Sequence, residues 1–407
     1  MRVLILQGPV GGFFSYLARD LRARGHVVAK FNFNAGDLLY SVRYKAINYT
    51  GGQRGWRTWL RSFCANWKPE AIILFGDQRP IHRIAMHIAR ENNIPVYAFE
   101  EGYIRPNYVT FESGGNNANS PLLRNGNGFE PIEPLEEPPK LRSQFGAMTR
   151  RAIGYYMAMS FGNFLFPGYL HHRRRELYSE AYLWTRSWFR LLRYGRQDRI
   201  LVEQLTSHAA SPYFLVALQV HDDLQLLRHG RGWRNTSLIK AAVASFAKHA
   251  APEDILVIKA HPMDRGHRRY RRRVLKAARD NNVTGRVHVL QSGPLASVVR
   301  AAKGLITINS SSGIVALEAD VPVIALGRSI FSIDGLAAGA GGIQDLHDFW
   351  RNPVPPREKL AEKVVALLKR DHMLPGSFYL PETWKGICER VDERLRADED
   401  AFPRSHS

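Results

Sequence analysis

Cysteine is scarce in this sequence. Its 407 residues include two, Cys64 and Cys388, which lie far apart and outside any Cys-x-x-Cys spacing. We therefore expect no structural disulfide and no cysteine-ligated zinc site, and we expect a reducing compartment. The opening stretch MRVLILQGPVGG has too few apolar residues for the apolar region of a signal peptide and predicts a first strand instead, so the expected compartment is the cytoplasm.

Acidic residues are also few. The chain has 37 Asp and Glu against 57 Lys and Arg, which gives a formal net charge of +20. A field of this sign favours nucleic acid, an anionic membrane face or phosphorylated substrates. No RNP, KH or zinc-finger pattern accompanies the charge, so a nucleic-acid partner is not expected.

The positive charge is concentrated in residues 149–199. Within that segment residues 152–170 carry no charge and are flanked by Arg150, Arg151 and Arg173–Arg175. Nineteen uncharged residues reach the minimum length of a membrane span, but Gly, Asn and Pro interrupt them. Aromatic residues beside arginines are typical of the membrane–water interface, so contact with an anionic membrane surface and simple packing between domains both remain open.

Short β-rich runs alternate with helix-like stretches on both sides of this segment. The pattern predicts an α/β protein with two Rossmann-like domains facing a cleft, followed by C-terminal helices. We place the first domain at 1–140, a basic and aromatic helical connector at 141–200, the second domain at 201–345, and C-terminal helices with a polar tail at 346–407. No strong strand is predicted after Gly327.

The first candidate site follows the strand in VYAFEEGYIRP. Glu100 and Glu101 end that strand, and neighbouring residues of a strand point to opposite faces. A carboxyl group that is partly withdrawn from water is a candidate general acid or base. The alternative is that Arg105 or another cation simply pairs with it.

A second cluster of polar residues follows the strand in YFLVALQVHDDLQ. Gln219, His221, Asp222 and Asp223 stand where the strand ends, a position that more often belongs to a site than to the scaffold. The structural alternative is that Asp222 or Asp223 caps the next helix.

Two further strands end in residues suited to a phosphate. The first is followed by Lys259, His261 and Pro262. The other is followed by a run of small polar residues before a helix: Asn309, Ser310, Ser311, Ser312 and Gly313. Backbone N–H groups, hydroxyls and a cation together predict a site for the phosphate of a nucleotide.

These motifs carry a family resemblance. FEEGYIRP, QVHDDLQ, KAHP, NSSSG and LGRSIFSIDGL occur in an order and spacing that resemble the capsular polysaccharide β-Kdo transferases, also described as capsule export proteins, of the KpsS/LipB type. The resemblance implies a GT-B-like fold and CMP-β-Kdo as donor. It also implies a phosphatidylglycerol-type acceptor on which a poly-Kdo linker is started, at the cytoplasmic face of the inner membrane.

The resemblance also implies residue roles. In related retaining β-Kdo transferases the aspartate of a Gln-xxx-Asp motif is the proposed nucleophile, which corresponds to Asp223 with Gln219 at the first position. The acid/base would be Glu100 or Glu101, and His261–Pro262 would contact CMP. Strand alternation is expected to turn Asp222 and Glu101 away from the reacting sugar.

No metal and no other cofactor is predicted. The chain's single Asp-x-Asp, at residues 398–400, lies in the polar tail, so a metal-dependent mechanism has little support. The family context adds other capsule biosynthesis proteins and an ABC exporter as expected partners. The alternatives are a non-catalytic capsule export or assembly protein, a transferase or epimerase that uses another nucleotide sugar, and a nucleic-acid-binding protein.

Overall fold

The computed structural model describes residues 1–124, 137–169, 177–207, 211–339 and 342–401. The chain divides into two compact units. The first comprises Met1–Pro121, Pro134–Leu177 and Leu368–Ser407, and the second comprises Leu122–Glu133 and Tyr178–Leu367. Each unit is built around its own sheet.

The strands are β1 (Arg2–Ile5), β2 (Val27–Asn32), β3 (Ile47–Asn48), β4 (Ala71–Phe75), β5 (Val96–Glu101), β6 (Tyr108–Ser113), β7 (Tyr213–Ala217), β8 (Ile255–Lys259), β9 (Val287–Leu290), β10 (Gly304–Thr307), β11 (Val323–Ala325) and β12 (Met373–Pro375). The α-helices are α1 (Phe13–Ala23), α2 (Ala35–Leu39), α3 (Gln53–Trp67), α4 (Pro80–Glu91), α5 (Phe145–Gly162), α6 (Leu177–Leu205), α7 (Leu224–His229), α8 (Asn235–His249), α9 (Tyr270–Asp280), α10 (Leu295–Arg300), α11 (Ser312–Leu317), α12 (Ile343–Arg351), α13 (Leu360–Leu367) and α14 (Trp384–Ala401).

The sheet of the first unit has the order β12-β6-β5-β4-β1-β2-β3. Its five strands from β5 to β3 are parallel, whereas β6 is antiparallel to β5 and β12 is antiparallel to β6. The apolar runs of β1 and β4 are buried because a core covers each face of the sheet. Residues of α1 and α14 lie in one core, and residues of α3 and α4 lie in the other.

The second unit contains a five-stranded sheet with the order β11-β10-β7-β8-β9, and every pairing in it is parallel. Residues of α8, α9 and α12 contribute to a single large core with the strands. All five strands end at the same edge of the sheet, where ligands bind in open α/β folds. The predicted α/β class with C-terminal helices is confirmed, although the first unit's sheet also has two antiparallel pairings, those of β6 with β5 and β12.

The C-terminal segment differs from the prediction. After α13 and a π-helical turn at Leu368–His372, the chain adds β12 to the edge of the first unit's sheet, although no strand was predicted after Gly327. The strand has three residues, too few for an apolar alternation that sequence analysis could detect. Helix α14 then packs on α1, and Ile387 is fully buried there.

The segments proposed as a connector and as a C-terminal region are each divided between the two units. Helix α5 belongs to the first unit and nearly all of α6 to the second, so the predicted 141–200 segment contributes to both. The predicted 346–407 segment is divided between Leu367 and Leu368. In the ranges that the structure describes, no helix combines the length and apolar character that crossing a membrane requires.

The described part of the uncharged stretch, residues 152–169, has both exposed and buried aromatic side chains. Phe161 is 71% exposed and Phe164 is 77% exposed, whereas Tyr155 and Phe166 are buried. The Tyr155 hydroxyl donates to Asp37 at 2.9 Å, which fixes that side of α5 in the first unit.

The flanking arginines also differ from one another. Arg150 is exposed, while the guanidinium of Arg151 donates to the backbone oxygen of Tyr379 and lies 5.8 Å from the centre of the Trp384 ring. The predicted cations Arg173–Arg175 lie outside the described residues.

Because α14 completes a core of the first unit, we expect Ile387→Ala to lower the free energy of unfolding by about 2–5 kcal/mol. Lys385→Ala is the matched control on the same helix, since that side chain is 76% exposed and forms only a 3.9 Å pair with Glu389. The control should cost less than about 0.5 kcal/mol in urea unfolding. Equal effects of the two substitutions would contradict the assignment of α14 to this core.

Candidate functional site

The predicted phosphate-binding residues lie along one edge of the second unit's sheet. Strands β10, β7 and β8 are neighbours and parallel, so Asn309, Gln219 and Lys259 meet at their carboxyl ends. All three side chains are buried, with 2–6% of each residue exposed. Polar side chains are uncommon in that position unless they bind something or support a group that does.

Gln219 connects two neighbouring strand ends at this edge of the sheet. Its Oε1 accepts a hydrogen bond from the backbone N–H of Asn309 at 3.2 Å, so it links the ends of β7 and β10. Asn235, from α8, donates to the backbone oxygen of Gln219 at 2.6 Å. Gln219 therefore shapes the site through Asn309.

Several buried polar atoms at this edge have no hydrogen-bond partner among the described residues. Asn309 Oδ1 and Ser312 Oγ follow β10, while Gln291 Nε2 follows β9, and Arg265 Nε lies beside Gln291. Leaving such a group unsatisfied costs about 1–3 kcal/mol. A ligand or ordered water that pairs with them would remove this cost, so the edge has the character of a binding site.

Lys259 supplies the positive charge of this edge. Burial lowers the pKa of its ammonium group, the charge of Asp198 opposes that shift and the charge of Arg265 adds to it. Asp198 lies on α6, where it is 3% exposed and accepts from the Ser292 hydroxyl at 2.7 Å. Sequence analysis missed Asp198 because it stands alone within a basic helix, and no local pattern connects it with a strand end.

His261 and Pro262 form a tight turn after β8. Pro262 begins a short 3-10 segment, Pro262–Asp264, and the Nδ1 atom of His261 accepts from the backbone N–H of Met263 at 3.2 Å. In the neutral ring this places the proton on Nε2. The turn thus gives the imidazole a defined orientation.

Asp264, which sequence analysis did not select, orients a second histidine. It is 1% exposed and accepts from His221 twice, from the backbone N–H at 3.0 Å and from Nδ1 at 2.8 Å. The Tyr270 hydroxyl donates to the same carboxylate at 3.0 Å. The carboxylate holds the proton on His221 Nδ1 and directs Nε2 away from the pair.

Asp222 and Asp223 do not lie on a strand, because β7 ends at Ala217. The expectation that strand alternation separates them is therefore wrong. Asp223 is the N-cap residue of α7, and its Oδ1 accepts from the backbone N–H of Gln225 at 2.8 Å. In this conformation Asp223 thus caps helix α7, which is the structural alternative given in the sequence analysis.

The small polar residues before α11 have different surroundings in the structure. Ser310 Oγ accepts from the backbone N–H of Ser312 at 3.2 Å, and Ser311 is the N-cap residue without a side-chain capping bond. A Cβ atom at Gly313 would lie 2.2 Å from the ring of Phe331, which is fully buried. Gly313 is therefore explained by close packing.

The paired glutamates lie in the first unit, at the end of β5. Strand alternation separates the two side chains, as predicted. Glu101 accepts a hydrogen bond from the Tyr379 hydroxyl at 2.8 Å. Glu100 is directed towards Gly76 instead, with its Oε2 atom 3.4 Å from the position that a Cβ atom would take there. Arg79 approaches the same glycine. Glu100 and the cation of Arg79 thus share the surroundings of Gly76, which the sequence analysis had not connected.

Arg79 is fixed by the end of β1. Its Nη1 atom donates to Gln7 Oε1 and to the backbone oxygen of Gly8, both at 3.1 Å, and the guanidinium carbon lies 5.0 Å from the centre of the Phe75 ring. Gln7 is buried and also donates to Tyr169 at 3.1 Å. Within the described ranges, no group of three or more His, Cys, Asp and Glu side chains is arranged to hold a metal ion.

Comparison with known proteins identifies the family. A family model described as capsule polysaccharide biosynthesis protein matches residues 70–379. The chain belongs to this family. The match to this capsule polysaccharide biosynthesis family includes the glutamates of the first unit and the polar edge of the second.

Individual capsule proteins are similar over most of their length. The chain is 34% identical to the capsule polysaccharide modification protein LipB of Neisseria meningitidis serogroup B, over 93% of this chain and 91% of that protein. It is 33% identical to the capsule polysaccharide export protein KpsS of Escherichia coli, over 89% of this chain and 92% of that protein. Among solved structures, the β-Kdo 2,7 transferase of Thermosulfurimonas dismutans KpsC matches with a TM-score of 0.44 and 12% identity, over 93% of each chain.

The His221–Asp264 pair can be tested by proton NMR. We expect a downfield Nδ1–H signal from His221, because the proton is held in a 2.8 Å bond to a buried carboxylate. Asp264→Asn and His221→Gln should both remove it. His267→Gln is the control, since His267 Nδ1 lies 2.9 Å from the Met263 backbone oxygen instead. Survival of the signal in a folded Asp264→Asn protein would contradict the pairing.

Proposed function

We propose that this capsule polysaccharide biosynthesis protein is a glycosyltransferase that moves Kdo from CMP-β-Kdo to a phosphatidylglycerol-type lipid acceptor. The transfer would start the poly-Kdo linker of a capsular polysaccharide, with retention of configuration and without a metal ion. The observation that carries the nucleotide assignment is the buried, polar edge around Lys259 and Asn309. The choice of Kdo and of the lipid rests on the motif resemblance.

The phosphate of CMP fits the needs of this edge. Lys259 is a buried cation, and Ser312 Oγ is a buried hydroxyl that can donate to a phosphate oxygen. Asn309 Oδ1 can only accept, so it would pair with a hydroxyl or amino group of the nucleoside. His261, whose Nδ1 accepts from the Met263 backbone N–H, would add a second donor to the phosphate through Nε2.

The same donors would assist bond cleavage. When the bond between the anomeric carbon and the phosphate oxygen breaks, CMP leaves with an additional negative charge. Fixed donors and a cation in a site withdrawn from water stabilise developing charge strongly. Lys259 and His261 would serve this role.

Asp223 is the proposed nucleophile. Its carboxylate would attack the anomeric carbon as CMP departs, which forms a covalent glycosyl ester. The acceptor hydroxyl would then displace Asp223 after losing its proton to Glu100, and two inversions give overall retention. This proposal requires the two units to bring Glu100 and Asp223 to one sugar during the reaction.

Glu100 is preferred to Glu101 as the base. The hydroxyl of Tyr379 occupies Glu101 Oε1, and Tyr379 is itself buried. Glu100 instead approaches Gly76, as does the cationic side chain of Arg79. Glu101 then has a structural part in the first unit.

The proposed place of action is the cytoplasmic face of the inner membrane, as a peripheral protein. A lipid acceptor requires contact with a bilayer, and the exposed Phe161 and Phe164 of the 152–170 stretch are suited to an interface. Other capsule biosynthesis proteins and an ABC exporter are proposed partners, since the product would be the lipid-linked base of an exported chain.

A non-catalytic export or assembly role is the second candidate, because one relative is described as an export protein. A transferase for another nucleotide sugar is the third. Incubation with labelled CMP-Kdo and phosphatidylglycerol vesicles separates them. Labelled lipid supports the proposed Kdo transfer. The absence of both transfer and CMP release supports the export role. Activity with another donor alone supports a transferase for another nucleotide sugar.

In that assay Asp223→Asn should retain CMP binding and lose transfer by several orders of magnitude, because an amide cannot form the glycosyl ester. Asparagine caps a helix about as well as aspartate, so α7 should persist. Glu100→Gln should slow the second step and allow a Kdo adduct on Asp223 to accumulate, visible by intact-protein mass spectrometry.

Asp222→Asn and Glu101→Gln are the matched controls for these two variants, and both should retain more activity. Near wild-type transfer by Asp223→Asn would eliminate it as the nucleophile. A selective loss in Asp222→Asn or Glu101→Gln would mean that the neighbouring acid carries the role.

The lowered pKa of Lys259 predicts the pH dependence of CMP binding. The ammonium form binds the phosphate. Above the second pKa of the CMP phosphate, which is about 6, affinity therefore falls as the pH rises through the lowered pKa of Lys259, by up to about tenfold per pH unit. The decline should begin below the ordinary lysine range of about 10.4. In Lys259→Arg the charge persists, and calorimetric titration should find a flat profile over the range where the protein stays folded. Identical profiles for the two proteins would exclude Lys259 as the responsive group.

A further inference from the structure

Helix α6 exposes an unusual number of large apolar side chains. Trp188 is 56% exposed, Phe189 is 60% exposed and Leu192 is 60% exposed. The same helix exposes further members of this set: Tyr182, Trp184, Leu191 and Ile200. Single exposed apolar residues are ordinary, but a group on one helix indicates a surface with a partner.

A cavity of about 270 Å³ lies between α6 and α9 in the second unit. Six arginines line it, together with Tyr194, Tyr270, Leu275 and Gln291: Arg190, Arg268, Arg269, Arg271, Arg272 and Arg279. Arg190 is held in place because it donates to the backbone oxygens of Arg265 and Arg268. Arg271 lies over the ring of Tyr194 at 4.8 Å.

The described residues provide no carboxylate partner for this charge. Among the residues that the structure describes, no carboxylate lies within ion-pair distance of the six cavity arginines. Like charges held together repel one another and favour an anion between them. Guanidinium groups match phosphate oxygens in geometry, so a phosphate group is the chemistry that this cavity fits.

A second cavity, of about 360 Å³, adjoins the arginine cavity on α6 and shares Arg190 and Tyr194 with it. Tyr182 and Phe189 line its apolar part. Positive charge and exposed aromatic rings therefore occur side by side. That combination is characteristic of protein surfaces that lie at the boundary between lipid headgroups and acyl chains.

We propose that the α6–α9 surface, defined by these six arginines and by Trp188, Phe189 and Leu192, docks the protein on an anionic phospholipid bilayer. The arginines bind lipid phosphates, and the apolar side chains enter the headgroup region. Aliphatic side chains such as Leu192 favour lipid over nucleic acid, because they offer no stacking platform for bases.

The inference takes from the proposed function only the expectation that the protein works at a membrane. Its test uses neither donor nor acceptor chemistry. Failure of Kdo transfer therefore leaves it standing, and failure of docking leaves the transferase proposal standing.

Sedimentation of the full chain with vesicles tests the surface. Wild-type protein should bind vesicles that contain phosphatidylglycerol and bind phosphatidylcholine vesicles weakly, with binding that falls as salt rises. Arg269→Gln/Arg272→Gln should weaken partitioning by about 30-fold, since each cation near an anionic surface contributes about a fivefold factor. Trp188→Ser/Phe189→Ser should weaken the binding that remains at high salt.

Arg54→Gln/Arg57→Gln is the matched control, because both arginines are exposed on α3 of the first unit and the same charge is removed. It should leave binding nearly unchanged. Circular dichroism and thermal unfolding establish that each variant is folded.

Three results would overturn the proposal: equal binding to neutral and anionic vesicles, equal losses in the α9 variant and the α3 control, or no loss in either α6–α9 variant. Free glycerol phosphate separates the possible sources of phosphate. If it occupies the cavity while vesicles do not bind, the site is one for a soluble anion. Loss of RNA binding in the α9 variant with vesicle binding intact would assign the surface to nucleic acid.

Discussion

The burial of the Lys259 ammonium group at the end of a strand constrains the second unit more than any other feature. A charge in that position is costly unless something pairs with it. Asp198, from a helix far away in the sequence, offers partial compensation, and Arg265 works against it. An anionic ligand would complete the compensation, which explains why the sheet can keep a lysine where an apolar residue would pack more easily.

The surrounding residues serve this constraint by fixing geometry. Gln219 connects the ends of two strands, and Asp264 holds His221 through two hydrogen bonds. Gln219 and Asp264 are buried and bonded to protein partners, whereas Asn309 Oδ1 and Ser312 Oγ have none among the described residues. The site thus consists of a rigid polar frame with a few atoms left for a ligand, as preorganised binding requires.

The strongly apolar strands were predictable, because runs such as AIILF and ILVIK can be satisfied only by burial on both faces of a parallel sheet. The polar residues after those strands were also predictable, because ligands of open α/β sheets bind where the strands end. Asp198, Asp264 and Arg79 were not, since each reaches its partner through tertiary packing. The short β12 escaped notice because three residues carry no periodicity. Asp223 was identified, but its capping geometry depends on where β7 ends, and sequence analysis had extended strand alternation too far.

The central claim is that the carboxyl edge of the second unit's sheet binds the phosphate of a cytidine nucleotide. A crystal structure of the full chain with CMP tests it most directly. The account predicts a phosphate oxygen within hydrogen-bond distance of Lys259 Nζ, and a ligand atom paired with Asn309 Oδ1 or Ser312 Oγ. CMP bound elsewhere, with those buried atoms still unpaired, would contradict it.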